Sequence, residues 1–446
     1  MTASSTFQSE RPYIGRIIDA ELDVLLGGLG AISIEGAKAV GKTATAVRRA
    51  ARTLRLDRPA VADAVRAAPE EALRGPFPVF IDEWQHVPTI WDAVREFVDN
   101  DPTPGRVLLA GSAAPVATAR PTHTGAGRIV TRRMRPLAIS ERLTEATLSP
   151  TARDTVSIRA LLTSKPSALR GASPWTLSDY AREIIRSGFP GIRQLDPVLR
   201  RAQLDGYVHH LTTRDVQEAN GAAANPAAVQ RWLLAFAAAT ATTTSLEKLR
   251  DIATAGDGGL SAKTTALRYR DALERLFIYD PLPAWQPGGT ALSRLGGAPK
   301  IHLVDPALSA HLLGIDEEAL MDGVTTPLVD AIPSVRDGGL FGALFESLVT
   351  LSMRTYAQAA DVQFRYLRTH GGGHEVDGIL VRRDQKCVAF EVKLAGTIDD
   401  RDVRHLHWLK DQLGDQLLDA IVISTGPAAY RRGDGIGVVP AALLVP

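Results

Sequence analysis

Two periodicities divide the chain. Between residues 31 and 112, short uninterrupted apolar runs alternate with stretches of helical spacing. AISIEG at 31–36 reads as a strand running into a glycine turn, and a helix is predicted from about Lys42 to Arg52. TLRLD at 53–57 alternates like a strand, and VADAVRAAPEEAL at 61–73 has helical spacing. PVFID at 78–82 is apolar throughout until its last residue, the pattern of a strand buried on both faces. A helix near 90–99 and the strand RVLLAGS at 106–112 follow. GRIVTRRMRPLAISER at 127–142 reads as a strand leading to a helix start at Ser140. Alternating strands and helices predict an α/β region with a parallel sheet.

Beyond about residue 150 the strand pattern stops. Residues 176–255 are helical and alanine-rich, and 256–282 reads as a turn, a helix start at Ser261, an amphipathic helix and a strand. That order predicts a helix-turn-helix or winged helix. Residues 314–340 are loop-rich, and from Phe341 a helix, several strands and another helix form a last α/β unit. The expected division is 1–150, 151–330 and 331–446, without internal repeats.

Composition narrows the classes. The chain has 446 residues, 45% hydrophobic and 23% charged, with a net charge of +1. That balance gives no global field toward nucleic acid or membrane, so such contacts would need local patches. One candidate is Arg268, Arg270 and Arg275 on the amphipathic helix; another is the cluster Arg132, Arg133 and Arg135. The plainer reading of the first is the polar face of a core-packing helix, and of the second a solvated face. The single cysteine, Cys387, allows no intramolecular disulfide. The N-terminus has no apolar signal segment, and no apolar run reaches the ~20 residues of a spanning helix. The expectation is a cytoplasmic protein without membrane partners.

Candidate chemistry begins at Gly36-Ala37-Lys38-Ala39-Val40-Gly41-Lys42-Thr43, a full match to G-x-x-x-x-G-K-[ST] between a predicted strand and a predicted helix. Glycines let backbone N–H groups wrap phosphates, and the helix N-terminus adds a positive dipole. Lys42 reaches the β- and γ-phosphates, while the Thr43 hydroxyl is a magnesium ligand. VFIDE at 79–83 supplies the complement: Asp82 at a strand end to hold Mg2+, directly or through water, and Glu83 as general base toward the attacking water. Ser112, ending the next strand, is a candidate to orient that water. Arg128, after Gly125-Ala126-Gly127, is a candidate stabiliser of the transferring phosphoryl group or simply a surface arginine.

A second constellation lies near the C-terminus. HEVDGILV at 374–381, a polar turn, and CVAFEVK at 387–393 read as a hairpin. Its period of two puts Glu391 and Lys393 on one face and brings Asp377 alongside. Two carboxylates and a lysine on adjacent strands resemble the metal site of PD-(D/E)XK nucleases. There the carboxylates hold Mg2+ and the lysine stabilises negative charge or helps activate water. Glu346, on the preceding helix, would be a further acidic ligand. An amphipathic hairpin facing water is the plainer reading.

With these residues in view, the chain resembles bacterial and archaeal AAA-type ATP-binding proteins that carry an uncharacterised C-terminal region. The resemblance rests on Tyr13-Ile14-Gly15-Arg16, the phosphate loop, IDEWQHVP at 81–88, AGS at 110–112, GAGR at 125–128, RPLAISE at 135–141 and SGFP at 187–190. It extends to Tyr207, Arg214-Asp215, LSAKTTALRY at 260–269, Phe345-Glu346 and EVD…EVK at 375–393. It departs at Ala113, where the family usually has a second small polar residue. It implies a P-loop ATPase of the ASCE type using ATP and Mg2+, a winged-helix-like middle and a nuclease-like C-terminal domain. The middle and C-terminal domains would contact DNA, and an oligomer is compatible with AAA-like modules. Whether the C-terminal domain cuts or is a silent partner-binding module stays open.

Overall fold

The structure is a computed structural model that describes residues 12–112, 125–143, 155–163, 168–220, 224–254, 263–286, 297–322, 339–369 and 372–446. The expected helix start at Ser261 and the stretch 113–124 therefore lie outside the described residues.

Five parallel strands build the first sheet: β1 (Ala31–Glu35), β2 (Arg52–Arg55), β3 (Val79–Asp82), β4 (Val107–Gly111) and β5 (Ile129–Arg133), in the order β2-β3-β4-β1-β5. The uninterrupted apolar runs follow from burial on both faces. Ile32, Ile34, Phe80 and Leu108 point into one core, while Val79, Ile81 and Leu109 point into another with Ile90, Trp91 and Val94 of the helix Thr89–Asn100. The strand β4 lies between the strand that enters the phosphate loop and the strand that ends in Asp82.

Two helices differ from expectation. The helix predicted to reach Arg52 spans only Lys42–Val47. Arg49 turns back onto the Thr45 carbonyl and the Asp19 carboxylate, and the Ala51 N–H is already bonded to Pro78. The segment 61–73 splits into Pro59–Ala67 and Pro69–Ala72. Pro69 drives Ala68 out of helical geometry, to φ −145° and ψ 71°.

The middle region is helical, including Leu177–Ile185, Pro197–His210, Pro226–Ala238, Leu246–Thr254 and Lys263–Arg275. A short antiparallel ladder follows, with Tyr279 opposite Leu303 and Leu282 opposite Lys300. Before these helices comes the two-residue strand β6 (Val156–Ser157).

The last region holds the long helix Gly339–Ala359, then β7 (Gln363–Arg368), β8 (Glu375–Val381), β9 (Cys387–Val392), the helix Arg404–Leu413, β10 (Leu417–Ser424), β11 (Tyr430–Arg431), β12 (Gly437–Pro440) and β13 (Leu444–Val445). Its mixed sheet has the order β11-β12-β10-β9-β8-β7. β7, β8 and β9 are antiparallel, and β10 joins β9 in parallel after the intervening helix. Phe80, Tyr180, Phe236, Phe345 and Leu443 belong to one continuous apolar cluster, and β13 returns to pair with β6. Among the described residues, no helix is long and apolar enough to cross a membrane.

Candidate nucleotide site and a buried carboxylate cluster

The phosphate loop leaves β1 at Gly36 and enters its helix after Gly41. Both positions demand glycine. Gly36 has φ 158° and Gly41 φ 105°, and a Cβ on Gly36 would sit 2.1 Å from the Met134 carbonyl oxygen. Arg16 braces the loop from outside, donating to the Val40 carbonyl at 2.7 Å and to the Arg135 carbonyl at 2.7 Å while paired with Glu141 at 3.0 Å.

Lys42 is folded back over the loop, its Nζ donating to the carbonyls of Gly36 (2.7 Å) and Ala37 (2.9 Å). Burial pushes its ammonium down to about 8, against the pull of Glu83 and Asp82. Thr43 Oγ1 donates to the Asp82 carboxylate at 3.0 and 3.1 Å. Burial raises the Asp82 carboxyl, and the Thr43 hydrogen bond opposes that rise. A hydroxyl and a carboxylate already touching each other at the head of the loop are a donor set that fits Mg2+.

Glu83 follows Asp82 with a left-handed φ of 52°, an uncommon conformation for this residue type. Its Oε2 accepts from Ser112 at 2.8 Å and from Gln85 Nε2 at 2.5 Å. Ser112 therefore holds the carboxylate, where orienting the water was expected. Gln85 is a residue the sequence reading missed. Lys38, exposed on the loop, pairs with Asp215 of the middle region at 2.8 Å.

Arg128 lies elsewhere. It precedes β5, at the sheet edge opposite the loop, and pairs with Asp99 at 2.6 Å. In a parallel sheet the N-terminal ends of strands are a full strand length from the loop, about 15 Å here. The GAGR pattern does not reveal which end of the strand it occupies. Arg133 is the arginine on the loop side, in register with Glu35, stacked on Phe277 at 3.9 Å and 3.8 Å from Asp280. Asp280 also takes Arg135 (2.9 Å) and Arg354 (3.0 Å). On the middle helix, Arg270 is paired with Asp271 and Arg275 donates to Asn220.

Beside the loop, a cavity of about 350 Å³ is lined by Tyr13, Ile14, Arg16, Gly41, Pro190 and Gly191 among others. Its lining includes residues of YIGR and SGFP, two segments that carry the family resemblance.

The four C-terminal residues do come together. Asp377 and Glu391 sit on adjacent strands, the Asp377 carboxylate accepts from the Val392 N–H at 3.0 Å, and Lys393 pairs with Glu391 at 2.9 Å. Glu346 enters from the helix Gly339–Ala359. At their centre stands a residue sequence reading missed. Lys300 Nζ lies 2.7 Å from Glu346, 2.9 Å from Glu375 and 2.9 Å from Asp377. Burial pushes Glu346 up to about 8 and Glu391 well above the carboxylate range. Burial also works on Asp377, but Lys300 and Lys393 hold it down to about 2. The three carboxylates outweigh burial at Lys300 and keep it charged. Unlike the loop, this set does not fit a divalent ion as it stands. Among the described residues, no group of three or more His, Cys, Asp or Glu side chains is disposed to hold a metal.

Residues 30–143 match the model of an AAA domain, 177–319 a domain of unknown function (DUF8612) and 341–444 another (DUF4143). Two mycobacterial proteins, the uncharacterized protein Rv2008c of Mycobacterium tuberculosis and Mb2031c of Mycobacterium bovis, are each 26% identical over 299 residues. The match spans 65% of this chain and 58% of theirs. Among solved structures, the Walker-type ATPase PABY2304 of Pyrococcus abyssi aligns with 12% identity and a TM-score of 0.40, covering 68% of this chain and 98% of that one. The ORC2 protein of Aeropyrum pernix aligns with 13% identity and a TM-score of 0.30, covering 71% and 97%. Loop geometry and family match together place an AAA-type P-loop module at residues 30–143.

Proposed function

We propose that this protein binds ATP with Mg2+ at Gly36–Thr43 and hydrolyses it, and that the nucleotide state sets how the middle and C-terminal regions are held. The observation that carries the proposal is the contact of Thr43 with Asp82 beside a Glu83 carboxylate fixed by Ser112 and Gln85. Backbone N–H groups between Gly36 and Gly41 bind the phosphates. Lys42 leaves its two loop carbonyls for the β/γ-phosphates. Thr43 and Asp82 would hold Mg2+, which when bound would supply charge neutralisation to the phosphates. Glu83 accepts the proton of the attacking water, and its two donors keep it aimed. The cavity at Tyr13 and Pro190 takes the base.

The helix Gly339–Ala359 followed by three antiparallel strands, a helix and a parallel strand supports a PD-(D/E)XK-like fold for the C-terminal region. The helices before the 279–303 ladder support a winged-helix reading of the middle region. One reading is that nucleotide turnover drives cutting of nucleic acid at Asp377, Glu391 and Lys393. The other is a switch whose C-terminal region is catalytically silent and binds a partner. The ammonium of Lys300 among the carboxylates favours the switch.

Phosphate release measured with wild type, Glu83→Gln and Lys42→Ala tests the ATPase reading. Glu83→Gln is expected to keep nucleotide binding and lose about 10²–10⁴ in turnover, while Lys42→Ala loses binding. Equal release from all three proteins sinks the reading. Incubation of plasmid DNA with Mg2+, with and without ATP, separates the two C-terminal readings, and Asp377→Ala is the control.

A further inference from the structure

We infer that Lys300 is a built-in cation that occupies the place of a divalent metal in the C-terminal site, making that site a clasp for the middle region instead of a metal centre. The inference uses the nuclease-like reading only to locate the site and does not depend on ATP hydrolysis.

Delivery of the ammonium is fixed by backbone, not by a loose side chain. Lys300 exchanges both main-chain hydrogen bonds with Leu282, each at 2.9 Å. The arm 283–285 in turn extends the C-terminal sheet as an extra strand. Trp285 N donates to the Tyr366 carbonyl at 2.6 Å, and Tyr366 N donates to Pro283 at 3.1 Å. The hairpin thus adds to the edge strand β7 and carries Lys300 into the cluster from the side. The side chain is 1% exposed and packs over the Tyr366 ring at 5.5 Å.

Charge balance fits this role. Glu346, Glu375, Asp377 and Glu391 contribute four carboxyls, and the cations against them are Lys300, Lys393 and, 3.8 Å from Glu375, Arg368. A divalent ion ligated by Glu346 and Asp377 would lie where Nζ now donates to both. Two positive centres in that space, with water excluded, would repel strongly. His302, on the same strand, adds no charge: burial, with Lys300 beside it, drives it down to about 3. Metal and hairpin therefore compete for one set of oxygens. Any divalent ion that entered would have to evict Lys300 and peel the hairpin from β7.

The test is Mn2+ uptake by nucleotide-free full-length protein, read by electron paramagnetic resonance of the free ion. All proteins carry Asp82→Asn, which removes the carboxylate that touches Thr43 beside the phosphate loop. With Lys300 intact, no uptake that depends on Asp377 is expected. With Lys300→Met added, one Asp377-dependent Mn2+ per chain is gained, held at least about tenfold tighter than any residual uptake by the Lys300-intact protein, and a further Glu346→Gln abolishes the gain. An Asp377-dependent Mn2+ site with Lys300 intact overturns the inference, and so does a folded Lys300→Met protein that gains none. If Lys300→Met fails to fold, the intact-Lys300 titration still decides. Failure of the ATPase reading shows in phosphate release and leaves this result unchanged.

Discussion

At the scale of single residues, the phosphate loop turns on one ammonium. Lys42 lies 6% exposed between two carbonyls and is held down to about 8. Triphosphate oxygens favour its charged form, so association takes up a proton once the free protein has begun to lose it. The sign follows. Below pH 8 affinity is flat with respect to this group; above it, affinity falls by up to about tenfold per pH unit. Titration calorimetry in buffers of different ionisation enthalpy should register fractional proton uptake near pH 8 and more at pH 9. Affinity that stays level from pH 7 to 9.5 would show that Lys42 is fully charged in the free loop.

At the scale of elements, Asp280 ties three of them together. It ends the turn after the helix Lys263–Arg275 and gathers Arg133 and Arg135 from the end of β5 and Arg354 from the helix Gly339–Ala359. The arginines hold its carboxyl well below the usual range despite burial. Replacing it by alanine leaves buried guanidinium groups without a counter-charge, and a loss of about 3–5 kcal/mol is expected in urea unfolding. A shift of the midpoint worth under about 1 kcal/mol would mean the arginines find water instead. None of this junction is legible in the sequence, since Arg135 and Arg354 are 145 and 74 positions from Asp280. The phosphate loop was legible because its chemistry is contiguous: strand, glycines, lysine and threonine arrive in order. The hairpin site was half legible. Asp377, Glu391 and Lys393 share one β-hairpin and a period of two, but Lys300 comes from another region and has no local pattern. Arg128 misled for the opposite reason, because a glycine-flanked arginine reads alike at either end of a strand. The helix break at Ala68 was available from Pro69.

At the scale of the whole molecule, charged contacts between the regions include Lys38 with Asp215, Arg142 with Glu183, the arginines with Asp280, and Lys300 with Glu346, Glu375 and Asp377. The last has a pH signature. Glu346 is raised from 4.5 to about 8 in the folded protein, so it binds its proton more tightly folded than unfolded. Its contribution is complete below about pH 4.5 and is lost as pH rises through about 8. Wild type should therefore lose stability relative to Glu346→Gln between pH 5 and pH 8 in paired chemical-denaturation curves, and parallel curves would place the shared proton elsewhere. The pairing of β13 with β6 has a consequence in time. Ser157 and Pro446 share a hydrogen bond across 289 positions. A ribosome adding roughly 5–20 residues per second needs roughly 15–60 s to cover that span. Throughout that interval Val156 and Ile158 wait without their partners, so the emerging chain exposes an apolar seam until β13 arrives to close it.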